Sequence, residues 1–212
     1  MTSVYRVIVT GVLGCLLWFS GGNGSMAQSL SPSALSPSRI SLGECLKGST
    51  APAEVLDSLT LLEVGFWGFD HKEHTGFLVV NKMLAAEVAE IFAEIKQIRF
   101  PIESVIPIRF DKPDNGTTMD TLNNSYAFHY RTIRAGSTLS AHALGRAIDL
   151  NPKHNPALYP EQKVLPPDGR YDPERPGTLT ANHPVVKAFT QRGWIWGGSW
   201  KVPIDYMHFQ KR

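Results

Sequence analysis

His142 and Asp149 lie seven residues apart in the stretch "STLSAHALGRAIDLNP", Ser137 to Pro152, with Gly145 between them and small or apolar neighbours around them. Imidazoles and carboxylates bind divalent metals or move protons, yet the surrounding sequence is shaped for burial. Seven residues rise about 10 Å along a straight helix and about 23 Å along a straight strand, so the two side chains meet only if the backbone turns between them. Gly145 permits such a turn, because it tolerates dihedrals that a side chain forbids. Beyond it, "RAIDL" reads as a strand with Ile148 and Leu150 on one face and Ala147 and Asp149 on the other. Asp149 then faces a cleft, beside an alanine too small to block access.

An ionised carboxylate amid apolar sequence is costly unless a cation or strong donors meet it. One zinc ion meets that need, and catalytic zinc sites commonly take three protein ligands from His and Asp/Glu and leave the fourth position to water. The chain therefore requires a third ligand and a base for the water's proton. "DYMHF", near the carboxyl end, contains both types, with His208 as ligand and Asp205, three residues earlier, as base. An odd spacing puts two side chains on opposite faces of a flat strand, so the chain must bend after Pro203. Each residue also has a structural reading, Asp205 as partner of a surface cation and His208 as a hydrogen-bonded core histidine. The four residues together favour the metal site.

These residues need a scaffold. "LLEVGFWGFD" and "GFLVVNK" suit two strands of a hairpin, with "HKEHTG" as its polar turn and His71 and His74 as solvated turn residues. From Met83, Leu84, Val88, Ile91, Ile95 and Ile98 recur every three or four positions, the pattern of an amphipathic helix. "RFPIESVIPIRFD" reads as one or two short edge strands broken by Pro101 and Pro107, and "KPDNGTTMDTLNNS" as a loop. Lys153 to Asn182, rich in Pro, Gly and charge, is a long connection of the kind that forms a functional lip. "HPVVKAFTQRGW" is a second helix with Asn182 as its cap and Pro184 in its first turn. Trp194, Trp196 and Trp200 fall at even spacings; Trp194 suits the core, and Trp196, beside "GG", suits the wall of a substrate groove. His154 and His183 receive no role.

The chain of 212 residues, 42% hydrophobic and 19% charged, suits one domain with a hydrophobic core. Met1 to Arg6, the apolar run Val7 to Phe19 and the small-x-small sequence Ser25-Met26-Ala27 read as a secretory signal over residues 1–27. That run is too short to span a bilayer comfortably, so no stable membrane span is expected after cleavage. Cys15 sits inside the run rather than after it, which argues against lipid attachment. Residues 28–44 form a Ser/Pro-rich linker, and 45–212 the domain. Removing the signal leaves Cys45 alone, so no internal disulfide can form. The net charge of +2, lowered by one with Arg6, and the lack of a Lys/Arg cluster argue against a nucleic-acid partner.

"SAHALGRAID" matches the pattern S-x-H-x-x-G-x-A-x-D, and "DYMHF" after "WIWGGSW" matches a terminal D-x-x-H-F; together they resemble the VanY-like zinc peptidases. That family includes D-alanyl-D-alanine carboxypeptidases and L-alanyl-D-glutamate endopeptidases, and shares its fold with the hedgehog signalling domain. The likeness runs from about Phe77 to Phe209, with "RFPI", "SYAFHYR" and "AIDLNP" similar to the endopeptidase branch. It implies an α+β fold, a small antiparallel sheet with packed helices and one zinc ion in an open cleft. It implies His142, Asp149 and His208 as zinc ligands, Asp205 as general base, Arg131 as the group that contacts the substrate carbonyl, and Ser140 as a contact to the substrate backbone or a structural hydrogen bond. His129 stands where the family pattern leads one to expect asparagine. The implied activity is hydrolysis in the stem peptide of peptidoglycan by a secreted or periplasmic enzyme, with L-alanyl-D-glutamate endopeptidase ahead of D-alanyl-D-alanine carboxypeptidase. A zinc-containing cell-wall binding module without turnover is the rival from another class.

Overall fold

The computed structural model describes residues 40–111, 123–133 and 136–212, all within one compact unit, Arg39–Arg212. The signal-like segment, most of the linker and most of the "KPDNGTTMDTLNNS" loop lie outside the described residues. The end of the expected linker already belongs to the fold: Ser41 caps a short helix, α1, Leu42–Leu46, by a reciprocal bond pair with Glu44. A second short helix, α2, spans Ala53–Asp57.

Strands β1, Leu59–Trp67, and β2, Glu73–Asn81, form an antiparallel hairpin with Leu62 opposite Leu78 and Trp67 opposite Glu73. The connection is tighter than the sequence suggests, since Glu73, His74 and Thr75 are already in β2. Period-two alternation lets both faces bury side chains. Val64, Phe66, Leu78 and Val80 enter the main core, while Leu59 and Val79 meet Cys45 and Phe128 in a second cluster. Burial pushes the Cys45 thiol up to about 11, which leaves it unreactive at neutral pH.

Helix α3, Ala85–Gln97, lies across the hairpin, presenting Val88, Ile91, Phe92 and Ile95, each no more than 1% exposed. Burying four such side chains contributes about 1.5–3 kcal/mol apiece. Ile98 is 47% exposed, because the helix has ended and the residue no longer follows its apolar face. Two short strands follow, β3, Ser104–Val105, and β4, Asn124–Ser125, paired in parallel. Asn124 and Ser125, expected in a loop, are buried, and the Asn124 amide is bonded to the backbone of Ile106 in both directions.

The remaining strands make two three-stranded antiparallel sheets. One orders β5, Ala147–Asp149, then β10, His208–Gln210, then β8, Ile195–Trp196. The other orders β7, Val164–Leu165, then β6, Ala157–Leu158, then β9, Ile204–Asp205. The fold is thus α+β, with several small sheets in place of the single one expected. Helix α4, Pro184–Thr190, packs on α3, and its cap is His183 rather than Asn182: the His183 ring nitrogen accepts from the Val185 amide at 3.1 Å. Glu87 of α3 ties down the chain end, accepting from Lys211 Nζ at 2.6 Å and from Trp194 Nε1 at 2.7 Å. Among the described residues, no helix is long and apolar enough to cross a membrane.

Candidate metal centre and cleft

Three strands converge on Asp149. On one side β10 places His208 directly opposite it. On the other, Tyr126 and Asp149 exchange backbone hydrogen bonds, Tyr126 N to Asp149 O at 3.2 Å and Asp149 N to Tyr126 O at 2.9 Å. His142 arrives from a 3₁₀ turn, Ala141–Leu144, whose first amides are capped by Ser140 Oγ, an acceptor from His142 N at 3.3 Å. Gly145 closes that turn at φ +63, and a Cβ there would stand 2.6 Å from Asn81 N, so both conformation and space require glycine.

His142 Nε2 lies 3.2 Å from Asp149 Oδ1 and 3.1 Å from His208 Nδ1, and His208 Nδ1 lies 2.9 Å from Asp149 Oδ1. All three residues are buried. The outer ring nitrogens fix the tautomers: His142 Nδ1 donates to Ala127 O at 2.5 Å, and His208 Nε2 donates to Gln210 Oε1 at 3.1 Å. Two imidazole lone pairs and a carboxylate oxygen therefore face one another, an arrangement that repels unless a cation or proton lies between them. Four-coordinate zinc with ligands near 2.0–2.1 Å sets neighbouring donors about 3.3 Å apart, close to these three separations. The donor set and its spacing fit zinc.

Burial disfavours the Asp149 carboxylate, but the field and hydrogen bonds of His142 and His208 outweigh it and hold the acid well below its usual range. Burial pulls His142 down despite Asp149; for His208 burial is overcome by the hydrogen bond and charge of Asp149, and the ring is pushed up.

Asp205 is brought to the same cleft by a pairing that the sequence does not announce. β9 pairs with β6, so Asp205 sits opposite Ala157 of the long Lys153 to Asn182 connection. Tyr206 and Met207 then turn the chain into β10, which is how residues three apart face one cleft. Gly197 makes room beneath them, since a Cβ there would be 2.6 Å from Asp205 O and 3.3 Å from His208 Cβ. Asp205 Oδ1 is buried with no hydrogen-bond partner. Burial first, then the Asp149 charge, raises the Asp205 carboxyl to about 7.

The cleft encloses about 650 Å³ and is lined on its polar side by Tyr126, His129, Arg131, Ser140, Asp149 and Asp205. Leu165, Pro166, Trp200, Val202 and Pro203 form an apolar side. Trp196 is not part of it. It is 5% exposed within the main core, and its Nε1 donates to Tyr206 O at 2.9 Å, because β8 turns that face inward. Trp200, past the β8 strand, takes the position at the cleft, with its ring 5.3 Å from that of His208. His129 lines the cleft with a buried, unpartnered Nδ1, and burial, then Arg131, pulls it down to about 4. His154 is a buried residue packed on Phe69 and bonded to Asn123. Tyr126 and Gln210 receive no role from the sequence, although Tyr126 lies within "SYAFHYR"; strand register and proximity to the histidines reveal them.

Residues 134–211, a little over a third of the chain, match the family model described as D-alanyl-D-alanine carboxypeptidase. The matched segment carries Ser140, His142, Asp149, Asp205 and His208, and excludes Tyr126, His129 and Arg131. No curated protein and no solved structure matches the chain.

Proposed function

From the match of residues 134–211 to the family model described as D-alanyl-D-alanine carboxypeptidase, we propose that this chain is a zinc-dependent peptidase of the VanY-like family that cuts a peptide bond in the stem peptide of peptidoglycan, between L-alanine and D-glutamate. The observation that supports the metal dependence is the facing of His142 Nε2, His208 Nδ1 and Asp149 Oδ1, three buried donor atoms at the spacing of a zinc ligand set. When bound, zinc supplies a Lewis acid that polarises a carbonyl and brings the pKa of water towards neutrality.

The chain's own residues supply the rest. Asp205, whose Oδ1 is buried and without a hydrogen-bond partner among the described residues, accepts the proton of the attacking water and later passes it to the leaving amine. Arg131, part-exposed at the cleft wall and permanently charged, steadies the oxygen of the scissile carbonyl. Ser140 fixes the turn that presents His142. The apolar side of the cleft excludes water and receives the uncharged parts of the peptide.

The likeness of "RFPI", "SYAFHYR" and "AIDLNP" to the endopeptidase branch supports the endopeptidase reading. The description of the matched family supports the alternative, removal of a terminal D-alanine, with Arg131 pairing with the terminal carboxylate. Digestion of defined stem peptides, with fragments identified by mass, decides between them: cleavage after L-alanine is expected, and release of free D-alanine alone would overturn it. A binding module without turnover is disfavoured by Asp205, since a binder gains nothing from an unpaired buried carboxylate. Export to the cell envelope is part of the same proposal, because that is where the substrate lies.

A further inference from the structure

Tyr126 precedes the matched segment and belongs to none of its motif residues, yet it occupies the floor of the cleft. It pairs with Asp149 through two backbone hydrogen bonds, and residues directly opposite on neighbouring strands share a face. Its side chain therefore joins Asp149 and His208 on the cleft side. The ring stacks on His142, with centroids 5.0 Å apart and planes 20° from parallel. The residue is 1% exposed, and its hydroxyl is buried with no hydrogen-bond partner.

An unpaired buried hydroxyl costs about 1–3 kcal/mol, and every other constraint on this side chain, pairing, stacking and burial, holds it there. The groups within reach of the hydroxyl are the Asp149 carboxylate and the Arg131 guanidinium, neither of which meets it in full hydrogen-bond geometry. A phenol ordinarily titrates at about 10, so at neutral pH it is an uncharged O–H donor. A fixed, buried donor next to Arg131 at the cleft floor is placed to serve an acceptor that arrives with the substrate.

We propose that the Tyr126 hydroxyl is a catalytic hydrogen-bond donor that shares with Arg131 the oxygen of the scissile carbonyl as negative charge builds on it. The inference rests on the peptidase reading above. The phenol keeps its proton throughout, and no covalent bond to Tyr126 forms or breaks. Because the hydroxyl is already in place and already desolvated, its hydrogen bond strengthens only as charge develops, and its contribution falls on kcat rather than on KM. The competing role is donation to Asp149, which would make Tyr126 a positioning residue that tunes metal affinity.

Tyr126→Phe separates the two, since it keeps the ring, the stacking and the burial. Three quantities are compared in wild type and variant: turnover of a defined stem peptide at saturating zinc, binding of a phosphinate analogue of that peptide by calorimetry, and zinc affinity by chelator competition. The expected result is a fall in kcat of about a hundredfold with KM little changed, phosphinate binding weakened by a similar factor, and zinc affinity unaltered. A tenfold or greater loss of zinc affinity with wild-type turnover once zinc is saturating would overturn the proposal and assign the hydroxyl to Asp149. Undiminished phosphinate binding would overturn it as well. Wild type that binds zinc but cuts no stem peptide would instead refute the peptidase reading, and this inference with it.

Discussion

His208 and Asp149 are cross-strand partners: β10 runs antiparallel to β5 with the two residues directly opposite, and His208 Nδ1 stands 2.9 Å from Asp149 Oδ1. Residues nearly sixty positions apart are thus held by a backbone ladder whose next pair, Phe209 with Ile148, lies wholly in the core. The ligand geometry is inherited from the same packing that stabilises the fold.

On the proposed mechanism, replacing Asp205 leaves the candidate zinc ligands in place. Asp205→Asn is expected to retain zinc at wild-type stoichiometry while turnover of a stem peptide falls by about a hundredfold to ten-thousandfold, the range for general-base loss. Metal analysis paired with initial rates checks this; parallel loss of zinc and rate would make Asp205 a ligand instead.

The same residue predicts a pH signature in metal-free protein. Asp205 is raised to about 7, above an unfolded value near 4, so the folded state favours its protonated form. Its contribution to stability is complete below about pH 4 and is lost as pH rises towards and through 7. In chelator, wild type and Asp205→Asn should melt together near pH 4, and the variant should be more stable at pH 8 by about 2 kcal/mol, allowing for partial exposure. Thermal melts across that range test it, and a gap that widens on acidification would contradict it.

Two tryptophans four residues apart should behave oppositely. Trp196→Ala removes a core side chain and is expected to cost about 3–5 kcal/mol of stability. Trp200→Ala, at the cleft beside His208, should raise KM several-fold with little change in melting temperature. Denaturant unfolding and steady-state kinetics on both variants separate the roles.

Gly145→Ala should be more damaging than an ordinary surface substitution. It forces a side chain into a left-handed conformation and against the Asn81 amide, and it displaces the turn that carries His142. A loss of about 1–3 kcal/mol, accompanied by weaker zinc binding, is expected in melts and chelator titration.

Much of the centre is legible in the sequence because it depends on local rules. The glycine between His142 and Asp149 announces the turn, the strand "RAIDL" announces which way Asp149 faces, and the three-and-four periodicity announces α3. What is not legible depends on pairing between distant segments. Asp205 reaches the cleft because β9 pairs with β6, a contact with no signature in either stretch. Trp196 and Trp200 share a parity that would place them on one face of a continuous strand, but β8 ends at Trp196 and a 3₁₀ turn over Gly197–Ser199 re-aims the chain. His183 displaces Asn182 as the helix cap because an imidazole nitrogen serves as well as an amide oxygen when it reaches the second amide. Tyr126 is chemically silent in sequence and becomes visible only through its register with Asp149.

The most direct test of the central claim is zinc stoichiometry in purified wild type and in His142→Ala, Asp149→Ala and His208→Ala, measured by elemental analysis after dialysis, with folding checked by circular dichroism. The account predicts one zinc per folded wild-type chain and a large loss of retained metal in each folded variant. Folded wild type without zinc, or variants that keep it undiminished, would contradict it.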